Sequence, residues 1–109
     1  MLRVLIVDDE PLARIRLQQH LEKMPNMSIV GQATNGLEAV QSTVKYCPDI
    51  VLMDIRMPEM DGLEAAKVIA GMTLPPAVIF CTAFEDFALS AFDAQACAYL
   101  LKPVKYDEL

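Results

Sequence analysis

The chain has 109 residues, of which 54% are apolar, and carries 15 acidic against 9 basic side chains for a formal net charge of -6. That length suits one compact core rather than two domains, and that apolar share excludes an intrinsically disordered chain. The acidic balance excludes a grip on a phosphate backbone, which needs clustered Lys and Arg, so direct nucleic-acid binding by these residues is not expected.

Two periodicities alternate along the chain. Leu2 to Val7 is an aliphatic and β-branched run cut off by Asp8-Asp9, and it predicts a first strand. A helix is predicted from Pro11, a residue suited to the first turn, with Asp9 placed to cap it. Ala13, Leu17, Leu21 and Met24 follow at helical spacing as its buried stripe, and Pro25-Asn26 ends it. Ser28 to Thr34 predicts a second strand, with Asn35-Gly36 as a turn signal. Leu37, Val40 and Val44 mark the next helix, which Pro48 closes.

Asp49 to Met53 is a third strand running straight into Asp54, followed by a loop over Ile55 to Asp61. Gly62 to Ala70 is a short helix with Leu63, Ala66 and Ile69 inward. Ala77 to Cys81 and Cys97 to Leu101 are the fourth and fifth strands, with a short helix over Phe84 to Phe92 between them. Tyr106 to Leu109 matches the first turn of a fifth helix that is mostly absent. Apolar strands alternating with helices predict an α/β fold of one domain over residues 1–109: a parallel five-stranded sheet between two helical layers. The flavodoxin-like order 2-1-3-4-5 suits five such units.

Apolar runs of about 4–6 residues are too short to cross a bilayer. Met1-Leu2-Arg3-Val4 enters the first strand without a signal-peptide layout, so a soluble, cytoplasmic protein is expected. Cys47, Cys81 and Cys97 form no C-x-x-C pair and are expected as buried, reduced thiols. His20 is the one histidine, which leaves no His-based metal site or His base.

Ligands of open α/β sheets bind at the carboxyl edge of the strands. The first strand delivers Asp8 and Asp9 to that edge, the third Asp54, the fourth Thr82 and the fifth Lys102. Carboxylates 4 Å apart repel by about 4 kcal/mol at an effective dielectric of 20. Such a cluster calls for a cation or raised pKa values. An all-oxygen donor set without His or Cys favours Mg²⁺, with Mn²⁺ as the alternative, over Zn²⁺. Lys102 can pair with a phosphoryl oxygen and Thr82 can hydrogen-bond another, so the set suits phosphoryl transfer, which depends on positioning and charge neutralisation.

V-D-D-E-P at Val7–Pro11, D-I-R-M-P-E-M-D-G at Asp54–Gly62, Thr82-Ala83 and Lys102-Pro103 together resemble the receiver domains of two-component response regulators. The resemblance spans about Leu2 to Val104, with all four motifs in order. It implies that Asp54 is the phosphoacceptor, and that Asp9, Asp54 and the Arg56 backbone carbonyl ligate Mg²⁺ while Asp8 acts mainly through water. It implies further that Lys102 contacts the phosphoryl group, that the Lys102–Pro103 bond is cis, and that Thr82 and Tyr99 form a two-state switch. A histidine kinase is the implied phosphodonor, and Leu12 and Ile15, opposite the Leu17–Leu21 stripe, are a candidate docking pair for it. Arg56 and Phe84 border the path of the attacking water in such proteins, and their bulk is expected to slow loss of the phosphoryl group.

Phe87 to Pro103 looks closest to receivers of the LytTR type, including alginate-biosynthesis regulators, in which a DNA-binding domain follows the receiver. Transcriptional output is thus implied for a parent protein. Activated receivers commonly dimerise through the fourth helix, fifth strand and fifth helix, so a phosphorylation-dependent homodimer is implied for the full-length protein. Two rival readings stay open: a small Mg²⁺-dependent phosphohydrolase using Asp54 as a transient nucleophile, and a pseudo-receiver that binds partners independently of phosphate.

Overall fold

The structure, a computed structural model, describes residues 1–82 and 98–102. The elements run β1 (Leu2–Val7), α1 (Pro11–Glu22), β2 (Met27–Ala33), α2 (Gly36–Tyr46), β3 (Ile50–Met53), α3 (Gly62–Ala70), β4 (Ala77–Thr82) and β5 (Ala98–Leu101). All strand pairs are parallel and the sheet order is β2-β1-β3-β4-β5, the flavodoxin-like order expected from the alternating pattern. The expected helix over Phe84 to Phe92, Cys97, the Lys102–Pro103 bond and the start of a fifth helix lie outside the described residues.

Alternation within the strands sorts the core into two layers. Leu5, Val7, Val51, Met53, Val78 and Phe80 face α2 and α3, where they meet Ala39, Ala65, Ala66 and Ile69. Val4, Ile6, Leu52 and Cys81 face the other way, against Leu17 and Leu21 of α1. A strand buried on both faces cannot show an apolar/polar alternation, which is why the strands read as continuous aliphatic runs. Each fully buried large aliphatic or aromatic side chain contributes about 1.5–3 kcal/mol.

Several local expectations are corrected. The N-cap position of α1 is Glu10, with no side-chain cap bond, so Asp9 does not cap this helix. Instead the neighbouring Asp8 Oδ1 accepts the Glu10 N–H at 2.9 Å, an Asx-type turn that leads into Pro11. The chain bends before α2 at Thr34 and Asn35, as the turn signal indicated, and the Asn35 side chain in addition accepts the Glu38 N–H at 2.8 Å and caps α2. The buried face of α2 is Gly36, Ala39 and Thr43, while Leu37 and Val44 are 43% and 66% exposed. Val40 of the same helix packs against the core. Cys47 is exposed, not buried; it adopts a left-handed conformation as the C-cap of α2, with its N–H on the Thr43 carbonyl. Cys81 is buried as expected.

Two glycines are fixed by proximity. A Cβ at Gly62 would strike the Asp54 carbonyl oxygen, and one at Gly36 would lie 2.8 Å from the Asp61 oxygen and closer still to that of Met60. Hydrogen bonds draw these backbones together: Gly62 N–H to Ile55 O at 2.7 Å and Gly36 N–H to Met60 O at 2.8 Å. The loop after β3 is thereby pinned to the first turns of both α2 and α3.

Gly62→Ala should therefore destabilise the protein by about 2 kcal/mol, in the range of overpacking substitutions. Val44→Ser, on the exposed face of α2, should stay within about 0.5 kcal/mol of wild type. Urea unfolding midpoints of the two variants give the comparison.

Candidate functional site

The register of the central strands builds the site. Val7 pairs with Met53 and Met53 with Phe80, so the residues that follow β1 and β3 stand side by side at the carboxyl edge. Asp8 donates its N–H to Ala33 O at 3.1 Å, and Asp54 donates its N–H to Val7 O at 3.0 Å. Both carboxylates are buried as a result, Asp8 at 1% and Asp54 at 5% exposure. Thr82 ends β4 on the same edge, fully buried, and its carbonyl accepts the Lys102 N–H at 2.8 Å.

That last bond aims Lys102 back across the edge. Its ammonium lies 2.8 Å from Asp8 Oδ2, 3.1 Å from Asp54 Oδ2 and 3.7 Å from Glu10 Oε1. The contact with Asp54 is a hydrogen bond, and the closer approach to Asp8 is an ion pair. Asp54 Oδ1 accepts the N–H of Ile55 at 2.8 Å. Asp8, Asp9, Glu10 and Asp54 each offer an oxygen within 4.8 Å of the others.

The electrostatics are set by this crowding. Burial pushes the Asp54 carboxyl above its ordinary range; Lys102 pulls it down, Asp8 pushes it further up, and the net direction is upward. Burial alone would lower Lys102, but Asp8 and Asp54 outweigh it and raise its pKa, so its charge is secure at neutral pH. Among the described residues the Lys102 ammonium faces a group of four carboxylates, two of them buried. A hard divalent cation with oxygen ligands fits that donor set and that charge deficit.

Of the residues singled out in the sequence, Asp8, Asp9, Asp54 and Lys102 converge here, with Thr82 on the same edge. Arg56 is exposed in the loop after β3 and lines an open cleft of about 370 Å³ with Ile55, Met57 and Asp61. Tyr99 lies in β5 opposite Phe80 in register; the expectation about its ring, like that for Phe84, falls outside the described residues. Glu10 is an addition that sequence reasoning missed. Its signal is the third consecutive acid in D-D-E, masked by its place just ahead of the helix. Arg14, whose Nη1 donates to the Asp8 carbonyl at 2.7 Å, is a second addition.

The response regulator receiver domain family profile matches residues 4–109. The chain belongs to that family. The receiver is similar to the positive alginate biosynthesis regulatory protein of Pseudomonas aeruginosa, 49% identical over 109 residues that cover 99% of this chain and 44% of that protein. It is 43% identical to the sensory transduction protein LytT of Bacillus anthracis, across 99% of this chain and 43% of that one. The receiver thus spans less than half the length of these relatives. Among solved structures, a chain of the CheX–CheY–BeF3–Mg²⁺ complex from Borrelia burgdorferi superposes with a TM-score of 0.90 at 29% identity, covering 98% of this chain and 82% of that one. The resemblance to LytTR-type receivers read from the sequence agrees with these relatives. Among the described residues no helix is long and apolar enough to cross a membrane.

The raised Asp54 pKa has a stability consequence. Neutral Asp54 stabilises the fold below the ordinary carboxyl pKa of 3.8, and that contribution is lost as pH rises through the higher folded value. In EDTA at about pH 7, Asp54→Asn should melt above wild type, with the gap closing as pH falls toward 3.8. Mg²⁺ at 100 times its dissociation constant should add about 2.7 kcal/mol to wild type and much less to the variant. Thermal melts across pH, with and without Mg²⁺, test both statements.

Proposed function

We propose that this receiver is the phosphoacceptor of a two-component relay, in which Asp54 takes a phosphoryl group from a kinase phosphohistidine. The observation that carries the reading is the Lys102 ammonium within 3.1 Å of Asp54 Oδ2, inside a group of four carboxylates at the sheet's carboxyl edge. An Asp54 carboxylate oxygen attacks phosphorus, the P–N bond to the imidazole breaks, and its electron pair stays on that nitrogen. An acyl phosphate on Asp54 results. Residues 1–109 then form one receiver domain, a signalling module whose own side chains promote both gain and slow loss of the group.

Each residue has a task. Lys102 exchanges its Asp54 contact for a phosphoryl oxygen, and the Ile55 N–H, 2.8 Å from Asp54 Oδ1, holds the carboxylate in orientation. Asp9, Asp54 and the Arg56 carbonyl would hold Mg²⁺ or Mn²⁺, with Asp8 acting through water, its own oxygens engaged by the Glu10 N–H and Lys102. When bound, the cation neutralises charge on the carboxylates and the transferring phosphoryl group. The similar chain from a complex that contains Mg²⁺ and BeF3, a phosphoryl mimic, supports this chemistry. Thr82 and Tyr99 would convert the new charge into a change of conformation. Arg56 and Phe84 would slow hydrolysis of the acyl phosphate. The parent protein would be a cytoplasmic LytTR-type transcriptional regulator, with DNA contacts made by its other segment and with phosphorylation promoting its dimerisation.

With Mg²⁺ and acetyl phosphate, the intact mass of wild type should rise by one phosphoryl group and that of Asp54→Ala should not. Lys102→Met should slow the gain about 10²-fold, the scale for loss of one charge-stabilising donor. Steady turnover of simple phosphomonoesters would instead favour a phosphohydrolase, and no mass gain would favour a pseudo-receiver.

The kinase would dock on α1. Leu12 and Ile15 are 76% and 48% exposed on the helix that starts beside the site. Replacing both with Lys should cut transfer from the phosphorylated kinase by about 10-fold or more, as for loss of central interface contacts. Transfer from acetyl phosphate should be unaffected; equal loss from both donors would place the defect in the site itself.

A further inference from the structure

We propose that Arg14 is a positioning residue for the acidic pair, holding the Asp8–Asp9 peptide so that the Asp9 carboxylate stays in the cation site. This rests on the phosphoacceptor reading above. The β1 ladder stops at Val7, and beyond it the backbone must turn sharply into α1. Asp8 is anchored on three sides: its N–H on Ala33 O, its Oδ1 under the Glu10 N–H, and its Oδ2 beside Lys102. Its carbonyl lies past the end of the ladder. Arg14 Nη1 supplies the donor there at 2.7 Å.

That bond bears directly on the neighbouring acid. A peptide unit is planar, so fixing the Asp8 carbonyl also fixes the N–H and Cα of Asp9. Asp9 is exposed, and among the described residues no group hydrogen-bonds its carboxylate. Its reach toward Asp8, Glu10 and Asp54 is therefore set by the backbone and not by a side-chain partner. The Arg14 guanidinium is rooted in α1, where the residue's own N–H closes the first turn on Glu10 O at 3.2 Å. A charged donor gives a shorter and stronger bond than a neutral one, and it makes the helix itself the support for the loop. Nearby, Thr34 holds the Glu38 carboxylate through its N–H at 2.9 Å and its hydroxyl at 2.8 Å, and these bonds, with a smaller contribution from the Arg14 charge, keep that carboxyl below its ordinary range.

Neutral but similarly long Arg14→Met and the conservative Arg14→Lys test the assignment. Calorimetry should show Mg²⁺ binding about 10-fold weaker in Arg14→Met, the lower end of what loss of an outer support costs a metal site. Arg14→Lys should fall between that and wild type. At saturating Mg²⁺, phosphorylation from acetyl phosphate should return to within about 2-fold of wild type, because only placement of the cation ligand has been loosened. In EDTA, the Asp9 backbone amide should exchange faster with solvent in Arg14→Met while the unfolding midpoint stays near that of wild type. Unchanged Mg²⁺ affinity, or a rate deficit that saturating Mg²⁺ does not repair, would overturn the role of Arg14. Failure of wild type itself to bind Mg²⁺ or gain a phosphoryl group would instead overturn the phosphoacceptor reading on which it rests.

Discussion

Two like charges are buried side by side at the ends of β1 and β3, and one ammonium from the end of β5 faces them. Everything else at the carboxyl edge answers to that crowding. Asp8 and Asp54 are placed by strand register, so neither can withdraw without breaking a ladder bond. Lys102 reaches them because its own N–H continues the pairing of β4 with β5. Burial is the main reason that Asp54 remains harder to ionise than an ordinary carboxyl; the Lys102 ammonium works against it and the Asp8 carboxylate adds to it. A buried carboxyl shifted in this way, grouped with three other acids at the carboxyl edge, has the donor set that suits a hard divalent cation.

The packing beneath the edge holds this arrangement in place. The loop after β3 touches the first turn of α3 through Gly62 and the first turn of α2 through Gly36, both at distances that only a missing Cβ allows. Asn35 and Asp61 cap those same helices from their N-terminal ends, accepting N–H groups at 2.8 and 2.9 Å. Asp54 is therefore flanked by helix starts whose backbone is locked, and its carboxylate has little freedom to swing out to solvent. Opposite, α1 begins from the acidic loop itself, so a helix that packs against the sheet through Leu17 and Leu21 also carries the exposed pair Leu12 and Ile15 close to the site.

Much of this is legible in the residues. Aliphatic runs separated by helical patterns predict parallel strands, of which β1, β3 and β4 supply the buried core, and the polar residues that end those runs must then share one edge. Asp8, Asp9, Asp54, Thr82 and Lys102 emerge from that reasoning alone. The departures are local. Leu37, Val40 and Val44 mark α2 in the sequence but do not say which of its residues are buried, and in the structure these are Gly36, Ala39 and Thr43, with Val40 packed against the core. Asp9 has the type and place of a helix cap, but its carboxylate joins the acidic cluster and the cap position passes to Glu10.

The difference is one of range. Periodicity and residue type act over a few residues, and they suffice to determine which segments are strands, which are helices and which polar groups end each strand. Which face of a helix is buried, which oxygen meets Lys102, and that Glu10 and Arg14 stand beside the acidic pair depend on contacts between segments far apart in the chain. Those contacts are settled by how the layers pack and how the strands align, and only the assembled tertiary structure decides them.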